Sequence, residues 1–282
     1  MISAKIIKDS ISEEGKRITT VQVSLPKVLL AENNTHRVFS RNYSSSRAIP
    51  VKRFNAMESF EPLYWGKNQE GMTAKLEEID DIEAAKKIWN DAIEYCKNAS
   101  EKLIGLGLHK QWSNRLNDWH NMANGIITST EWDNYFWLRD ADDAQPEMQF
   151  LARCIKSAME NSTPTLLHEG EWHLPYITDA ELNDSFFKIP ANKWMLHKIS
   201  SARCCRVSYN KHDGSIPNVD DDLALFMKLV GGSKIHASPL EHQATPDQIV
   251  SGSEIHPWKN DHLHGNLQGW IQYRKIWEAA IS

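Results

Sequence analysis

The sequence predicts an α+β fold, because two strand-like segments at the start of the chain are followed by one long amphipathic helix. Segments 5–12 and 17–24 are rich in β-branched residues, and the Glu13-Glu14-Gly15 run between them is typical of a turn. Within 73–104, apolar residues recur mostly every three or four positions with charges between them, which is the period of a helix. Glycines just after this segment are expected to end the helix.

Other segments complete the prediction of a single domain spanning 1–282. Further helices are predicted at 27–32, 110–119, 145–160, 220–229 and 267–280. Three consecutive aspartates open the 220–229 segment, and they indicate a helix N-terminus more simply than a metal site. The stretch 161–190 is mixed, proline-bearing and weakly periodic, and we interpret it as an extended connection.

Composition excludes several classes of protein. The chain has 282 residues and a net charge of −5, which argues against a broad nucleic-acid-binding surface. It contains no run of ~18 apolar residues, so no membrane span is expected. The first residues lack the charged flank and apolar core of a signal peptide. Four sparse cysteines indicate reduced thiols, and we therefore expect a cytoplasmic protein.

One basic segment stands out against the acidic balance. Between positions 35 and 55 the chain carries five arginines and lysines and no carboxylate. Within it, residues 32–47 read ENNTHRVFSRNYSSSR, and arginine forks with serine hydroxyls are the donors that a phosphate requires. Composition leaves two interpretations open, a concentrated anion site or a solvated basic loop.

This segment resembles the signature of the flavin-dependent thymidylate synthases, the ThyX family, written R-H-R, seven residues and S. The match is Thr35-His36-Arg37, seven residues, and then Ser45. The resemblance implies that His36 and Arg37 lie against FAD. Thr35 replaces the first arginine of the signature. The resemblance therefore leaves open whether this chain makes the flavin contact of that arginine.

The same resemblance implies a phosphate-binding group at the end of the segment. Ser45, Ser46 and Arg47 would hold the phosphate of the substrate dUMP, and Ser45 is also predicted to be catalytic. Two substrate-binding positions depart from the family. Glu32 stands where the family usually has Gln, and Tyr43 where it usually has Glu.

A second segment supports the resemblance. Residues 134–147 read NYFWLRDADDAQPE and resemble the family's Leu-Arg followed by Ala-Gln-x-Glu. Arg139 is thereby implied to bind and polarise the pyrimidine as a catalytic residue, and Asn134 to lie near the flavin. Upstream, Arg115 resembles an arginine that reaches the nucleotide. The alternative for these residues is a salt-bridge network at a helix end.

A third resemblance occurs in an unexpected order. Segments 202–209, read ARCCRVSY, and 222–242, which ends HASPLEH, resemble family segments that normally precede the signature. Here they follow it, as in a circularly permuted chain, which is tolerable where termini are close and exposed. The resemblance implies that Ser208, His236 and Ser238 bind FAD.

The resemblance also implies an architecture and an assembly. It divides the chain into 20–157, with the signature and the substrate arginine, 202–243, with the flavin turn, and 158–201, a connection of unknown role. It implies an antiparallel sheet flanked by long helices. It also implies a homotetramer whose active sites are each built from several subunits.

The implied reaction transfers a methylene group from methylenetetrahydrofolate to C5 of dUMP, with a hydride from reduced FAD and NADPH as the reductant. No cysteine has the setting of an activated nucleophile. Activation of the ring would therefore rest on electrostatics, with Arg139 stabilising negative charge on a pyrimidine oxygen.

Three alternatives remain open. The departures at Glu32 and Tyr43 leave room for dCMP methylation or dUMP hydroxymethylation, since they change the charge and donor pattern near the nucleotide. A non-catalytic nucleotide-binding homologue is a second alternative. A metal-dependent hydrolase using His256, His262 and His264 is a third, but no complete ligand spacing accompanies them, so no metal site is predicted.

Overall fold

The computed structural model describes residues 1–72, 75–208, 218–232, 235–250 and 257–281. Their strands are β1 (Ser3–Ser12), β2 (Arg17–Pro26), β3 (Ser40–Tyr43), β4 (Met122–Ser129), β5 (Thr165–Leu167), β6 (Ala244–Pro246) and β7 (Trp270–Gln272). Their α-helices are α1 (Leu30–Asn33), α2 (Val51–Asn55), α3 (Ile82–Gly105), α4 (Lys110–Ser113), α5 (Asp133–Arg139), α6 (Pro146–Glu160), α7 (Asp179–Asn183), α8 (Ser185–Lys188), α9 (Lys193–Cys205), α10 (Val219–Val230) and α11 (Tyr273–Ile281).

The α+β prediction is confirmed, and the main sheet has five strands in the order β3-β4-β2-β1-β5. β1, β2, β4 and β3 pair antiparallel, as expected. β5 joins the far edge parallel to β1, so the sheet is mixed at that edge. β3 is the opposite edge strand, and it places residues 40–43 at a border of the sheet.

Both faces of the sheet are buried. Successive residues of a strand point to opposite sides of the sheet, so each strand contributes side chains to both faces. On the first face, Val21, Val23 and Ile127 are fully buried in a core with residues of α6. On the second face, Ile18 packs against a cluster that includes Trp270. The C-terminal half of the chain therefore covers the face that the helix α6 leaves free.

Helix α3 begins later than its periodicity predicts. It starts at Ile82 instead of within 73–81, because the Asp81 side chain accepts a hydrogen bond from the Ala84 backbone N–H at 2.9 Å and caps the helix there. Before the cap, the chain pairs back on itself, since the Lys67 N–H donates to the Glu77 carbonyl at 2.8 Å. The helix ends at Gly105, as expected.

The other predicted elements are found with adjusted limits. The helix predicted at 110–119 is α4 followed by a 3-10 helix at Asn114–Asn117, and the one predicted at 267–280 begins as strand β7. The aspartates near 220 do cap α10, whose Asn218 and Asp221 form a reciprocal capping box. The stretch 161–190 contains β5, α7 and α8 rather than only extended chain.

Among the described residues, no helix is both long and apolar enough to cross a membrane. The single-domain boundary at 1–282 stays a prediction.

Candidate functional site

Arg139, at the end of α5, is hydrogen-bonded to the loop that carries the predicted flavin signature. Its Nε donates to Nε2 of His36 at 2.9 Å. Its Nη2 donates to the Glu32 carbonyl at 3.0 Å and to the Thr35 hydroxyl at 3.1 Å. The third nitrogen, Nη1, has no hydrogen-bond partner among the described residues. The guanidinium is therefore held along one edge and open along the other.

His36 is buried and acts as an acceptor for Arg139. Its ring stacks on Phe39 at 5.6 Å and lies edge-on to Tyr135 at 4.9 Å between ring centroids. Burial, aided by Arg139 and Arg41, lowers the pKa of His36 to about 4. The imidazole is therefore neutral at pH 7, so Nε2 can carry the lone pair that the Arg139 bond requires.

Helix α5 positions this arginine through its aromatic residues. Tyr135 is fully buried, and its ring lies 5.1 Å from Phe39 between centroids. Trp132, just before the helix, packs against the same phenylalanine at 4.7 Å. Because these rings fix the helix against the signature loop, Arg139 meets the loop in one orientation. Asn134 lies on the exposed side of α5.

Tyr43 and Glu32, the two departures from the family pattern, lie near this contact on the first face of the sheet. The Asn33 amide donates to the Tyr43 hydroxyl. The Tyr43 ring covers Gly125 on β4, where a Cβ atom would overlap the ring carbons. Burial raises the pKa of the Tyr43 phenol, which keeps it neutral. Oε2 of Glu32 is buried and has no hydrogen-bond partner among the described residues.

Two of the predicted substrate-binding residues converge on a carboxylate. Arg115 donates from Nη1 to Oδ2 of Asp118 at 2.9 Å, and the buried Ser46 hydroxyl donates to the same oxygen at 3.4 Å. Lys27 donates to Oδ1 at 2.6 Å. The carboxylate of Asp118 is thus surrounded by two cations and a hydroxyl. The same set of donors is typical of a phosphate site.

Other residues of the segment 32–47 face solvent or a turn. Arg37 and Arg47 are exposed and have no ion pair with any described residue. Ser45 is half-buried, and its carbonyl accepts a hydrogen bond from the Ala48 N–H at 3.0 Å. Arg41 donates to the His36 carbonyl at 2.6 Å, so it braces the loop instead of facing a ligand.

The later segments reach the same edge strand from the second face. The 3-10 helices Arg206–Ser208 and Ser238–Glu241 both contact β3. Nδ1 of His242 lies 2.8 Å from the Thr128 hydroxyl on that face. His236 is exposed and Ser238 half-buried.

The fold therefore brings the predicted segments together at β3 but not on one side of it. His36, Tyr43 and Arg139 lie on the first face, and the turn that carries Ser238 lies on the second. Within one chain, the predicted flavin ligands flank the edge strand.

The side chains at this edge fit FAD by their chemistry. The guanidinium groups of Arg37 and Arg47, without an ion pair to any described residue, suit the two phosphates of the cofactor. The Glu32 oxygen, which lacks a partner in the same part of the chain, offers an acceptor to a ring N–H or a hydroxyl. The exposed imidazole of His236 offers a ring contact, whereas the ring of His36 is buried against Phe39 and Tyr135 and acts through Arg139.

Several residues of the site were not predicted from the sequence. Asp118, Asn33 and Gly125 contact predicted ligands, and Lys27 is hydrogen-bonded to Asp118. The spacing of Arg115 and Asp118, three positions apart on a helical turn, was a usable signal for their ion pair. Lys27 and Gly125 carried no such local signal, since their contacts are long-range.

The C-terminal histidines do not form a metal cluster among the described residues. His264 is buried with Nε2 2.8 Å from Oδ2 of Asp247, whereas His262 is exposed. His256 lies outside the described residues.

Comparison with solved structures gives distant neighbours. No family model matches the chain, and no curated protein matches it. A UMP/dUMP methylase, PolB from Streptomyces cacaoi bound with 5-Br dUMP, has a TM-score of 0.48 at 16% identity, over 56% of this chain and 90% of that one. Thymidylate synthase X from Helicobacter pylori with FAD and dUMP has a TM-score of 0.36 at 17% identity, over 50% and 67% of the two chains. Likeness at this level carries no conclusion about activity.

Proposed function

We propose that this chain is a flavin-dependent enzyme that methylates dUMP at C5 to dTMP, with FAD as cofactor and methylenetetrahydrofolate and NADPH as co-substrates. The observation that carries the proposal is the contact of Arg139 with residues 32–36. It joins two segments that resemble separate parts of the same family site and that lie 103 to 107 positions apart. A salt-bridge network at the end of α5 would not require this loop.

Arg139 would stabilise negative charge on the pyrimidine. Its Nε and Nη2 are held by the loop, so Nη1 can donate to a carbonyl oxygen of the ring without prior rearrangement. A donor that is fixed before the reaction stabilises charge as it develops, and removing one such donor typically costs ~3–4 kcal/mol.

Three of the four cysteines support electrostatic activation over thiolate attack. Cys204 and Cys205 are buried in α9, and burial raises the pKa of both thiols, that of Cys205 to about 11. Burial also raises the pKa of Cys154. These sulfurs are therefore protonated at neutral pH and poor nucleophiles.

The nucleotide phosphate would be bound by Ser45, Ser46, Arg47 and Arg115. FAD would be held by His36 and Arg37 with Asn134, Ser208, His236 and Ser238, and when bound it supplies the hydride. Because these side chains lie on both faces around the edge strand β3, each site would be completed by neighbouring copies in a homotetramer.

The absorbance spectrum of the purified protein tests the proposal. It should be recorded alone, after FAD is added, and after dUMP is added to the flavin-loaded protein. Flavin bands that shift on addition of dUMP are expected, because both ligands would share one site. A colourless protein that ignores added FAD would overturn the proposal and favour a nucleotide-binding homologue.

An arginine pair provides the matched control. Arg139→Lys should abolish the spectral response to dUMP while flavin remains bound, because lysine cannot keep two donors on the loop and a third on the ligand. Arg153→Lys changes the same side chain in an exposed ion pair with Asp140 and should leave the response unchanged. Equal loss in both variants would mean that the effect is not local.

A second candidate is a related modification, dCMP methylation or dUMP hydroxymethylation, and the buried Glu32 oxygen without a partner among the described residues is the observation behind it. A carboxylate accepts hydrogen bonds only, so it pairs with N3–H of uracil or with the exocyclic amine of cytosine. Turnover of dUMP and dCMP should be compared and the products identified as methylated or hydroxymethylated. Exclusive methylation of dUMP would remove this candidate.

A further inference from the structure

A cavity lies outside the candidate site. It is lined largely by residues of 158–201, the connection to which the sequence assigned no role. It has a volume of about 480 Å³ and is bounded by β5, α7, α8 and α9. None of the residues that line it belongs to the Arg139 site. Its volume is within the ~300–1,000 Å³ range of cavities that take small molecules.

The most deeply buried side chains that line the cavity are largely apolar. Leu174, Phe187 and Leu196 line it, and they are 3%, 7% and 6% exposed. Trp172 also lines it, with its ring edge-on to the imidazole of His197 at 4.3 Å between centroids. An apolar or aromatic body would thus find dispersion contacts on several sides.

His197 adds a neutral ring to this wall. Its residue is 2% exposed, and burial lowers its pKa to about 4. A second indole, that of Trp194, lies 4.7 Å from its ring centroid. The buried part of the lining therefore carries no charge at neutral pH.

The charged residues that line the cavity are exposed or half-buried. Lys8, Lys188 and Lys193 line it, and none makes an ion pair with a described residue. Two carboxylates also line it. That of Glu171 accepts from the His168 N–H at 2.8 Å, and Asp179 lies in the first turn of α7, where the helix dipole favours a negative charge.

From this arrangement we propose that the cavity binds a small amphipathic anion, with a ring-sized apolar body and one sulfonate, carboxylate or phosphate group. The apolar wall takes the body, and the unpaired ammonium groups take the anionic end. A neutral ligand of the same shape would leave these cations without a partner. The site is independent of the proposed methylation.

The probe for this site is 1-anilinonaphthalene-8-sulfonate, and its neutral control is N-phenyl-1-naphthylamine, which has the same rings without the sulfonate. Both are titrated into the full-length protein by fluorescence. The anionic probe is expected to bind at least about fivefold more tightly than the neutral one, as an ion contact of ~1 kcal/mol would give. Equal affinity for the two probes would overturn the proposal.

Variants locate the binding. The double change Lys188→Glu and Lys193→Glu should remove the preference for the anionic probe. Lys87→Glu with Lys102→Glu, two exposed positions on α3, makes the same charge change elsewhere and should leave the preference intact. Leu167→Trp should weaken both probes by filling the half-buried rim of the cavity, with the fold checked by circular dichroism. Undiminished binding of both probes to the Leu167→Trp protein would show that they bind elsewhere and would overturn the proposal.

Discussion

Arg139 and His36 are joined by a hydrogen bond of 2.9 Å from Nε to Nε2, although they are 103 positions apart in the chain. The bond needs an unprotonated imidazole, which burial provides by lowering the pKa of His36 to about 4. The histidine therefore positions the arginine as a neutral acceptor and does not compete with it as a second cation.

His36→Ala should weaken binding of dUMP to the flavin-loaded protein about 10- to 100-fold. The reason is that a hydrogen bond involving a charged group contributes ~1.5–3 kcal/mol, and the arginine would lose its orientation. The measurement is a titration of the flavin spectrum with dUMP. His36→Gln keeps an acceptor and should recover part of the affinity. If the two variants bind alike, the acceptor role is wrong.

Asp118→Asn should raise the affinity for dUMP about 3- to 10-fold. The carboxylate of Asp118 holds Lys27, Arg115 and Ser46, which would otherwise be free to bind a phosphate, and removing its charge also removes repulsion of that anion. Binding is measured by calorimetry at two salt concentrations.

Asp91→Asn, an exposed position on α3, provides the matched charge control for this change and should have no effect. Weaker binding in the Asp118→Asn protein would mean that the carboxylate orients the phosphate ligands instead of occupying their place.

Gly125→Ala should lower the free energy of unfolding by about 1–3 kcal/mol. The added methyl group would overlap the Tyr43 ring, and overpacking a buried contact forces the ring or the strand to move. Urea unfolding measures the loss. In a Tyr43→Ser background the same change should cost much less, and equal costs in both backgrounds would show that the two residues do not interact.

Lowering the pH from 7 to 5 should destabilise the fold. Burial lowers the pKa of five histidines. The pKa falls to about 4 for His36, His120 and His197, to about 3 for His242, and well below its usual value for His173. Below their unfolded pKa of ~6.5 the unfolded chain binds more protons than the folded one. The stability of the fold is therefore not reduced by these histidines above their unfolded pKa. It is lost as the pH falls from there toward the pKa values that they have in the folded protein.

Each such histidine contributes a slope of up to ~1.4 kcal/mol per pH unit, which urea unfolding at several pH values measures. His242→Gln should reduce the total slope by about one histidine's share, since this side chain is fully buried. His262→Gln, at an exposed position, is the control. A stability that does not change between pH 7 and 5 would contradict the prediction.

Local pattern accounts for most of the secondary structure. Alternation and β-branched residues predicted β1 and β2, and a helical period predicted α6, because both signals depend only on neighbours in sequence. The start of α3 could not be placed in this way. Periodicity continued into 73–81, but the Asp81 cap and the pairing of Lys67 with Glu77 decided the boundary.

The sequence by itself determined the α+β class, the strands and helices with strong periods, and the segments 32–47 and 134–147 that carry the candidate site. Tertiary structure decided which donors meet: Arg139 with His36, and Ser46 with Asp118. It also placed the later segments on the opposite face of β3. The physical reason is that local propensity depends on adjacent residues, whereas these contacts depend on how distant elements pack against both faces of one sheet.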